Sequence, residues 1–379
     1  MNYIVIDLEW NQGASKEQSE AKMPFEIIEI GAVKLNEELR MVSQFNRLIK
    51  PKKYKKIHYK IEEVTHLTIN ELNKNGQDFK TVIREFFKWC GAEYTFCTWG
   101  TMDLTELERN ISFFGIEIPF PKPLLYYDLQ RMYSILYRDG EEKIALDTAV
   151  DELKLSSKRP FHRAKDDAYY TARVMRAMDF EKVKDCYSVD YYRPPSNRAE
   201  EFSVQSCDGV EFVSMTYSTK EDIMADKVIT GMECYHCKKK LRKKIHWFTL
   251  NSKQYYALAY CPHHGYLVGK IRMKKTDDDK NFVIKTLQFT DEAGVEEVRQ
   301  RQKEMHKKRR QKFRKQMKKI ESLEENGRIQ IVDDRLMILD IEGQPKLFED
   351  AKLYKRRVMN LRKREENPEL YTWNVISRR

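Results

Sequence analysis

The chain has 379 residues, which is too long for one ordinary hydrophobic core and therefore predicts two or three domains. Its net charge is +11, no run approaches the roughly 18 apolar residues of a membrane helix, and acids stand among the first ten residues, where a signal peptide is uncharged. Length, composition and charge thus exclude a membrane-spanning protein, and we expect a soluble, cytoplasmic protein with no membrane partner.

The first 180 or so residues have the pattern of an α/β domain. Three apolar runs with strand propensity predict a meander, and later apolar residues recur at spacings of three and four, as in helices. The predicted strands lie at Tyr3–Glu9, Ile27–Leu35, Met41–Ile49 and Tyr94–Trp99, and the predicted helices lie around 79–87, from about Asp103, and from about Arg163 to Met178. Strands followed by alternating helices and strands indicate a mixed sheet with helices on its faces.

Composition divides the rest of the chain. After the α/β domain of residues 1–185, residues 186–201 contain Tyr, Arg and Pro and predict a linker. Residues 202–275 predict a small second module, and residues 276–325 predict a basic helical region whose helix runs from about Asp291 to Leu323. Residues 326–379 give no clear pattern.

Two carboxylates lie in the first predicted strand. Side chains alternate between the faces of a strand, so Asp7 and Glu9 point the same way and lie side by side. Adjacent anions repel each other, and a divalent cation such as Mg²⁺, which prefers hard oxygen ligands, relieves that repulsion. Exposed edge strands also carry such pairs, so this motif alone leaves both interpretations open.

Further acids and a histidine stand at predicted helix starts. Asp103 follows the strand Tyr94–Trp99 and is equally well interpreted as a helix N-cap. His162 precedes the next such helix, and Asp166 and Asp167 lie in its first turns, where acids also stabilise a helix N-terminus. Each fragment alone is ambiguous between a helix-stabilising and a metal-binding role.

Together these motifs resemble the DEDDh exonuclease superfamily, whose ribonuclease-H-like domain occurs in proofreading exonucleases, oligoribonuclease and ribonuclease T. The order of the motifs matches, and the third, His-x-Ala-x-x-Asp, corresponds to His162, Ala164 and Asp167. Asp166 lies four residues from His162, which is the spacing of the tyrosine-containing branch, and is therefore excluded. The resemblance covers about the first 180 residues and implies an α/β fold with a ribonuclease-H-like mixed sheet flanked by helices.

The resemblance also implies a chemistry. DEDDh enzymes are 3′→5′ exonucleases that release nucleoside 5′-monophosphates with two divalent cations, here Mg²⁺ or Mn²⁺, about 4 Å apart. Asp7 then bridges both cations, Glu9 and Asp167 complete the first, and Asp103 supports the second directly or through water. His162 is the general base, because an imidazole titrates near neutrality. A helix-capping histidine is the alternative interpretation.

Three side chains beside these motifs are candidates for binding the terminal nucleotide: Trp10, Asn11 and Trp99. Aromatic faces stack on any base at roughly 1–3 kcal/mol each, but core packing explains the three residues equally well. The stretches Asp7–Gln12 and Thr98–Asp103 look most like those of bacterial relatives of the histone-mRNA 3′ exonuclease. That similarity favours single-stranded RNA over DNA.

The second module contains a pattern of metal ligands. Seven cysteines, an odd number, suit reduced thiols and a metal better than a disulfide framework. Cys234-x-x-Cys237 and Cys261-x-x-His264 suit one structural Zn²⁺ in a zinc-ribbon-like module, which has little core without it. His263 is an alternative fourth ligand. Thiols without metal, or a redox pair, are alternatives to a zinc site.

The basicity of the chain is concentrated in one segment. Residues Arg299–Lys319 contain twelve Lys and Arg against the single acid Glu304, and the rest of the chain carries 58 residues of each sign. Such a helix repels itself unless a polyanion neutralises it, which predicts contact with nucleic acid or the ribosome. A solvated helix is the alternative. Cations at Lys238–Lys244 suggest that the second module also grips phosphates.

The sequence therefore predicts an exonuclease that trims single-stranded 3′ ends, with its C-terminal half as a substrate-binding attachment. One alternative is a catalytically silent RNA-binding or regulatory protein that keeps the exonuclease fold. Another is a DNA exonuclease in repair. The presence of all five catalytic positions argues against the silent protein.

Overall fold

The structure, a computed structural model, describes the chain up to residue 350 apart from residues 16–18, 21, 139, 141, 157–158, 250, 252, 326–328, 333–334 and 340–344. It divides into two compact units, Met1–Trp247 with Ser252–Asp291 and Phe248–Asn251 with Glu292–Arg379. None of the helices described is long and apolar enough to cross a membrane.

A mixed sheet lies at the centre of the N-terminal domain. Its strands among the described residues are β1 (Asn2–Gln12), β2 (Phe25–Leu35), β3 (Met41–Leu48), β4 (Tyr94–Thr98), β5 (Leu125–Asp128) and β6 (Ser188–Val189). They lie in the order β3-β2-β1-β4-β5-β6. β1 is parallel to β4, and β4 to β5, whereas the other neighbours are antiparallel. The first three strands form the predicted meander.

Helices cover both faces of this sheet. They are α1 (Tyr59–Thr65), α2 (Ile69–Asn75), α3 (Phe79–Cys90), α4 (Asp103–Phe113), α5 (Leu129–Tyr137), α6 (Leu146–Glu152) and α7 (Ala164–Ala177). Ile4 and Ile6 of β1 pack in one core with α3 and α4, whereas Val5 packs in a second core with α5 and α7. This alternation follows from the period of two in a strand. The predicted mixed sheet flanked by helices is confirmed.

Residues 202–290 form a second sheet. Its described strands are β7 (Phe202–Ser206), β8 (Gly209–Val213), β9 (Lys243–Thr249), β10 (Gln254–Cys261), β11 (Gly265–Lys275) and β12 (Asn281–Thr290), in the order β7-β8-β12-β11-β10-β9. The short helices α8 (Lys220–Ala225) and α9 (Lys227–Thr230) lie between β8 and β9. The core of this sheet contains Ile223, Trp247, Leu267, Ile271 and Val283.

The second compact unit contains a long helix and three short strands. Helix α10 (Glu292–Glu325) lies close to the range predicted for the basic helix. Strands β13 (Ile329–Val332), β14 (Arg335–Leu339) and β15 (Pro345–Asp350) form a small antiparallel sheet in a region where no pattern in the sequence predicted one. Residues 351–379 of the predicted C-terminal segment lie outside the described residues.

Two predicted boundaries differ from the structure. Ser188–Val189 lies in the segment predicted as a linker, yet it pairs with β5 as part of the first sheet. The predicted end of the second module at residue 275 falls inside a hairpin, because β12 pairs with β11 along its whole length. The polar stretch between the two strands is the hairpin turn, closed by the Thr276 N–H bond to the Lys280 carbonyl. Polar composition marks turns and domain ends alike.

One prediction about the cysteines is wrong. Cys186 and Cys207 form a disulfide, so the cysteines are not all reduced thiols. The β7–β8 turn lies against the end of the first domain, where the Ser206 hydroxyl donates to the Tyr187 carbonyl. The two cysteines are 21 residues apart in sequence, and their Cα atoms are 4.7 Å apart. A separation of this length in sequence does not predict a disulfide, because only the fold shows whether the two Cα atoms come close enough.

Candidate active site

Strand β1 presents Asp7 and Glu9 on one face at its C-terminal part. In the pairing with β2, Asp7 lies opposite Gly31 and Glu9 lies opposite Glu29, and a β-bulge follows between Glu9 and Trp10. Asp7 lies on the same face as Val5, towards α7, by the alternation of the strand. Bulges change the direction of side chains and are frequent next to functional sites.

Helix α7 reaches the carboxylates because Gly31 lets it approach the sheet. A Cβ atom added at Gly31 would lie 2.1 Å from the carbonyl carbon of Ala164 and 2.2 Å from the backbone nitrogen of Lys165. Ala164 is itself fully buried. The first turn of α7 therefore lies directly on β2, next to the strand that carries Asp7.

Asp167, in the first turns of α7, completes a group of three acids. One carboxylate oxygen from each of Asp7, Glu9 and Asp167 lies within 4.8 Å of the other two. Asp167 Oδ2 accepts the backbone N–H of His162 at 3.0 Å, whereas the buried Oδ1 has no hydrogen-bond partner in the described structure. Three converging carboxylates with an unsatisfied oxygen suit a divalent cation with oxygen ligands.

Asp103 lies beside this group rather than within it. It is the first residue of α4, and the N-cap position is Met102, so Asp103 does not cap the helix. Its Oδ1 accepts the backbone N–H of Leu8 at 3.2 Å, which links α4 to β1 between the two strand acids. The structure thus brings the four predicted acids to one cavity, three of them as a tight group.

Burial and mutual repulsion raise the pKa of every one of these acids. Desolvation is the largest cause in each case, and neighbouring carboxylates add to it. The pKa of Asp7 lies well above its usual value, that of Glu9 is raised to about 8, that of Asp103 to about 7 and that of Asp167 to about 6. A bound cation offsets this repulsion and restores the ionised forms.

His162 lies in the loop that leads into α7, and a neighbouring ion pair fixes that loop. His162 has a positive φ of 68°, which is uncommon for a residue other than glycine. The adjacent Arg163 donates from Nε and from its terminal nitrogen to the buried carboxylate of Glu29, at 2.9 and 3.1 Å. This fork-shaped pair anchors the loop to β2. Sequence reasoning missed the pair, although a charged residue inside the apolar run of β2 was a signal for it.

The excluded acid, Asp166, has a different environment. It is buried, and Arg159 donates to its Oδ1 at 3.3 Å. It does not belong to the group formed by Asp7, Glu9 and Asp167.

The site residues line a cavity of about 490 Å³. Trp10 and Trp99 form part of its wall, together with Gln130 and Lys143, which sequence reasoning missed. Asn11 does not line it: the side chain is fully buried, donating to the Lys56 carbonyl at 2.9 Å and accepting the His58 N–H at 2.9 Å. The suggestion that Asn11 binds the nucleotide is therefore wrong, and its alternative, a structural role, fits.

The cysteine motifs of the second sheet also converge. His264 Nδ1 lies 3.4 Å from Cys234 Sγ and 3.6 Å from Cys261 Sγ, and Cys237 Sγ lies 3.6 Å from Cys261 Sγ. Ligands of a tetrahedral Zn²⁺ are roughly 3.5–3.8 Å apart, given the usual bond lengths. His263 instead contacts the amine of Lys239 through Nε2 at 2.9 Å. The geometry fits a zinc ion held by the three cysteines and His264.

The N-terminal part of the chain, which contains the cavity, is similar to known proteins. Residues 4–175 match the exonuclease family model RNase_T. No curated protein sequence matches the chain. Solved structures that align with part of this chain include the nuclease domain of 3′hExo, a DEDDh family member, bound to rAMP, which is 20% identical over 50% of this chain and 96% of that one, with a TM-score of 0.42. Cell-death related nuclease 4 is 14% identical over 63% of this chain and 87% of that one, with a TM-score of 0.41. Pop2p of S. pombe in its Mg²⁺- and Mn²⁺-bound form is 15% identical over 47% and 84%, with a TM-score of 0.37.

Proposed function

Because residues 4–175 belong to the exonuclease family, we propose that the protein removes nucleotides one at a time from the 3′ ends of single-stranded nucleic acid and releases nucleoside 5′-monophosphates. The observation that carries this proposal is the convergence of Asp7, Glu9 and Asp167 within 4.8 Å, in a cavity that His162 and Asp103 also line. The set matches in kind and order the five residues that the DEDDh resemblance requires.

The carboxylates are the proposed ligands of two divalent cations, Mg²⁺ or Mn²⁺. Asp7 would contribute a carboxylate to both cations, Glu9 and Asp167 to the first, and Asp103 to the second. When bound, such cations lower the pKa of the attacking water and stabilise the leaving 3′ oxygen. The unsatisfied Oδ1 of Asp167 supports this assignment, because a buried oxygen without a partner is costly unless a ligand satisfies it.

His162 is the proposed general base. It lines the cavity with the acids, and its imidazole accepts the proton of the attacking water as the phosphodiester is cleaved. The backbone N–H bond to Asp167 and the Arg163–Glu29 pair hold the loop in place. Trp10 and Trp99 offer ring faces for the terminal base.

RNA is the proposed substrate. The likeness of Asp7–Gln12 and Thr98–Asp103 to relatives of the histone-mRNA exonuclease supports it. The sugar preference is tested by comparing matched single-stranded RNA, single-stranded DNA and duplex substrates. Faster shortening of DNA would favour the alternative, a DNA exonuclease in repair.

The attachments have proposed roles in holding the substrate. We assign one structural Zn²⁺ to Cys234, Cys237, Cys261 and His264, on the distances between their ligand atoms. The cations of α10 are proposed to contact RNA, alone or in the ribosome. Arg301 pairs with Glu297, four residues earlier, whereas from Lys307 to Lys318 no described side-chain amine or guanidinium has a carboxylate within 4.0 Å. A cytoplasmic location stays a prediction. The Cys186–Cys207 disulfide does not favour it, because disulfides are rare in the reducing cytosol.

A matched pair of variants tests the assignment of the third motif. In purified protein with Mg²⁺ or Mn²⁺, Asp167→Asn is expected to slow shortening of a 5′-labelled single strand by about 10³-fold, because a metal-binding charge is lost. Asp166→Asn changes the adjacent residue in the same way and is expected to retain most activity. If Asp166→Asn loses activity and Asp167→Asn keeps it, Asp166 would be the metal-binding residue of the third motif. A wild type that binds RNA with metal but never shortens it would support the catalytically silent alternative.

A further inference from the structure

Lys143 lies at the edge of the catalytic cavity, where the fold holds its backbone in place. The carbonyl of the next residue, Ile144, accepts hydrogen bonds from Trp99 Nε1 at 3.1 Å and from Gln130 Nε2 at 2.8 Å. Both donors line the cavity with Lys143. The amine is exposed, and none of the described carboxylates lies within 4.0 Å of it. Lys143 is therefore a cation at the cavity edge with no ion-pair partner in the part of the chain that the structure describes.

The second sheet meets the N-terminal domain next to this edge. Arg131 follows Gln130 in α5 and donates to Asp208 Oδ2 at 2.5 Å and to the Tyr187 carbonyl at 3.2 Å. Asp208 lies in the β7–β8 turn. Both belong to the same compact unit. The wall of the cavity and the second sheet are thus joined through neighbouring residues of one helix.

Strand β11 brings two further cations to this region. Ile271 and Met273 point into the core of the second sheet, so Arg272 and Lys274 point to its other face. The Lys274 amine lies 5.8 Å from the ring centre of Tyr191, a residue that follows β6 of the first sheet. The two cations therefore lie where the second sheet meets the edge of the first.

The charges of the other two cations act on Lys274. Partial burial lowers the pKa of Lys274 first, and the positive charges of Arg272 and Lys143 lower it further, whereas the carboxylates of Asp190 and Glu211 raise it. A terminal nitrogen of Arg272 lies 3.9 Å from Glu211, which is a long ion pair, and the amine of Lys274 has no carboxylate within 4.0 Å among the residues described. Like charges held together by the fold are relieved by an anion with several charges.

We propose that Lys143, Arg272 and Lys274, the upstream cation cluster, bind the phosphates of the nucleotides that precede the 3′-terminal nucleotide on a single strand. This inference rests on the proposed function, because the cavity beside Lys143 is where the terminal nucleotide is cleaved. The acids of the cavity repel a polyanion, so cations at its edge are needed to hold the strand. These residues differ from the basic segment of α10 and from Lys238–Lys244, and they connect the second sheet to the catalytic cavity.

The test separates binding of the strand from cleavage. Binding of a fluorescent 12-nucleotide single strand is measured by anisotropy with Ca²⁺ in place of Mg²⁺, at several salt concentrations. Replacement of the three cations by glutamine (K143Q, R272Q and K274Q together, the cluster variant) is expected to weaken binding at least about tenfold at 0.1 M salt. The slope of log affinity against log salt concentration should become shallower by about two, because each phosphate contact on a single strand contributes about 0.7 and three are lost. Hydrolysis of the p-nitrophenyl ester of a nucleoside 5′-monophosphate, which lacks upstream phosphates, is expected to fall by a smaller factor than shortening of the 12-nucleotide strand at a subsaturating concentration.

The control is Lys275→Gln, the next residue on β11, which is exposed and paired with Asp279. This single substitution is expected to leave binding of the strand unchanged. A control triple variant replaces Lys182, Lys184 and Lys275, three exposed lysines that each pair with an acid, by glutamine. Its affinity is compared with that of the cluster variant. Equal affinity and salt slope in wild type and the cluster variant would overturn the inference, as would equal losses in the control triple variant. A wild type that binds the strand but hydrolyses neither substrate would contradict the proposed function instead.

Discussion

At the scale of single residues, the candidate site holds carboxylates that repel one another, and the proposed divalent cations would relieve that repulsion. Asp7 is opposed by Asp103, Glu9 and Asp167, and desolvation adds to the cost of ionising each acid. The charge of Arg163 lowers the pKa of Glu9, but its guanidinium pairs with Glu29 rather than with the four acids of the site. The free energy of unfolding should therefore depend on both pH and metal.

Without metal, stability is expected to fall as pH rises from about 4 to about 8. The pKa of Glu9 is about 8 in the folded protein against an ordinary 4.5, so the folded state holds this proton more tightly than the unfolded state. Its contribution to stability is complete below the ordinary pKa and is lost as pH rises through the folded value, on the order of 5 kcal/mol. Asp167 adds a further loss of stability, which is complete near pH 6 because its pKa is raised to about that value.

Thermal melting between pH 4 and pH 9, with EDTA or with Mg²⁺, measures this effect. Mg²⁺ is expected to raise the melting temperature at pH 8 and to remove most of the fall, because it binds the ionised site of the folded state. Glu9→Gln should flatten the metal-free profile, whereas Glu38→Gln, an exposed glutamate, should not. A metal-free profile that rises from pH 5 to pH 8 would contradict the account.

Single residues also mark where sequence reasoning succeeded and where it stopped. The four acids and His162 were predicted from motifs that resemble those of the DEDDh superfamily in order and spacing, and the structure brings them to one cavity. Asn11 and Trp99 carry no such signal. One is buried under the loop at Lys56–His58 and the other lines the cavity, and only the tertiary contacts separate them. Glu29 was visible as a charge in an apolar run, but its partner Arg163 required the fold.

At the scale of elements, the site depends on how closely α7 lies on β2. Gly31 has no side chain, and the backbone of Ala164 and Lys165 occupies the place where a Cβ atom would be. The contact sets the position of both Asp167 and His162 relative to β1. The pattern Ile28–Val33 predicts a buried strand, but the need for glycine at one position comes from a helix more than 130 residues later.

Gly31→Ala is expected to move the start of α7 away from the sheet. Backbone displacement should cost about 2–3 kcal/mol of stability, and the affinity for Mn²⁺ and the rate of strand shortening should fall with it. Val82→Ala in α3, on the other face of the sheet, is the control: it costs a similar amount of stability but should retain metal affinity below its melting temperature. Unchanged metal affinity in Gly31→Ala would show that the close approach does not position the site.

At the scale of the whole molecule, the chain combines a domain that matches the exonuclease family model with a second sheet that was predicted only in part. The Cys and His spacing predicted the metal-binding cluster, because a metal site leaves a local signature. The end of the second sheet at residue 290 was not predicted, because no local sequence motif marks it. Strand β12 pairs across a polar turn, and Cys207 pairs with a residue of the first domain, so both needed the tertiary structure.

Removal of zinc is expected to unfold the second sheet locally. Purified protein should contain about one Zn²⁺ per chain, and a chelator should lower the melting temperature, because the metal contributes folding energy. His264→Ala should lose the metal, whereas His263→Ala, which changes the adjacent histidine, should keep it. Equal zinc content in both variants would contradict the ligand assignment.

Hydrolysis of single strands from the 3′ end in the cavity around Asp7 is tested with a single-stranded RNA labelled at its 5′ end. The RNA is incubated with purified protein and Mg²⁺ or Mn²⁺ and followed on a denaturing gel. We expect a ladder that shortens by one nucleotide at a time with the wild type, and intact RNA with Asp7→Ala. Equal shortening by Asp7→Ala, or internal fragments without a ladder, would contradict it.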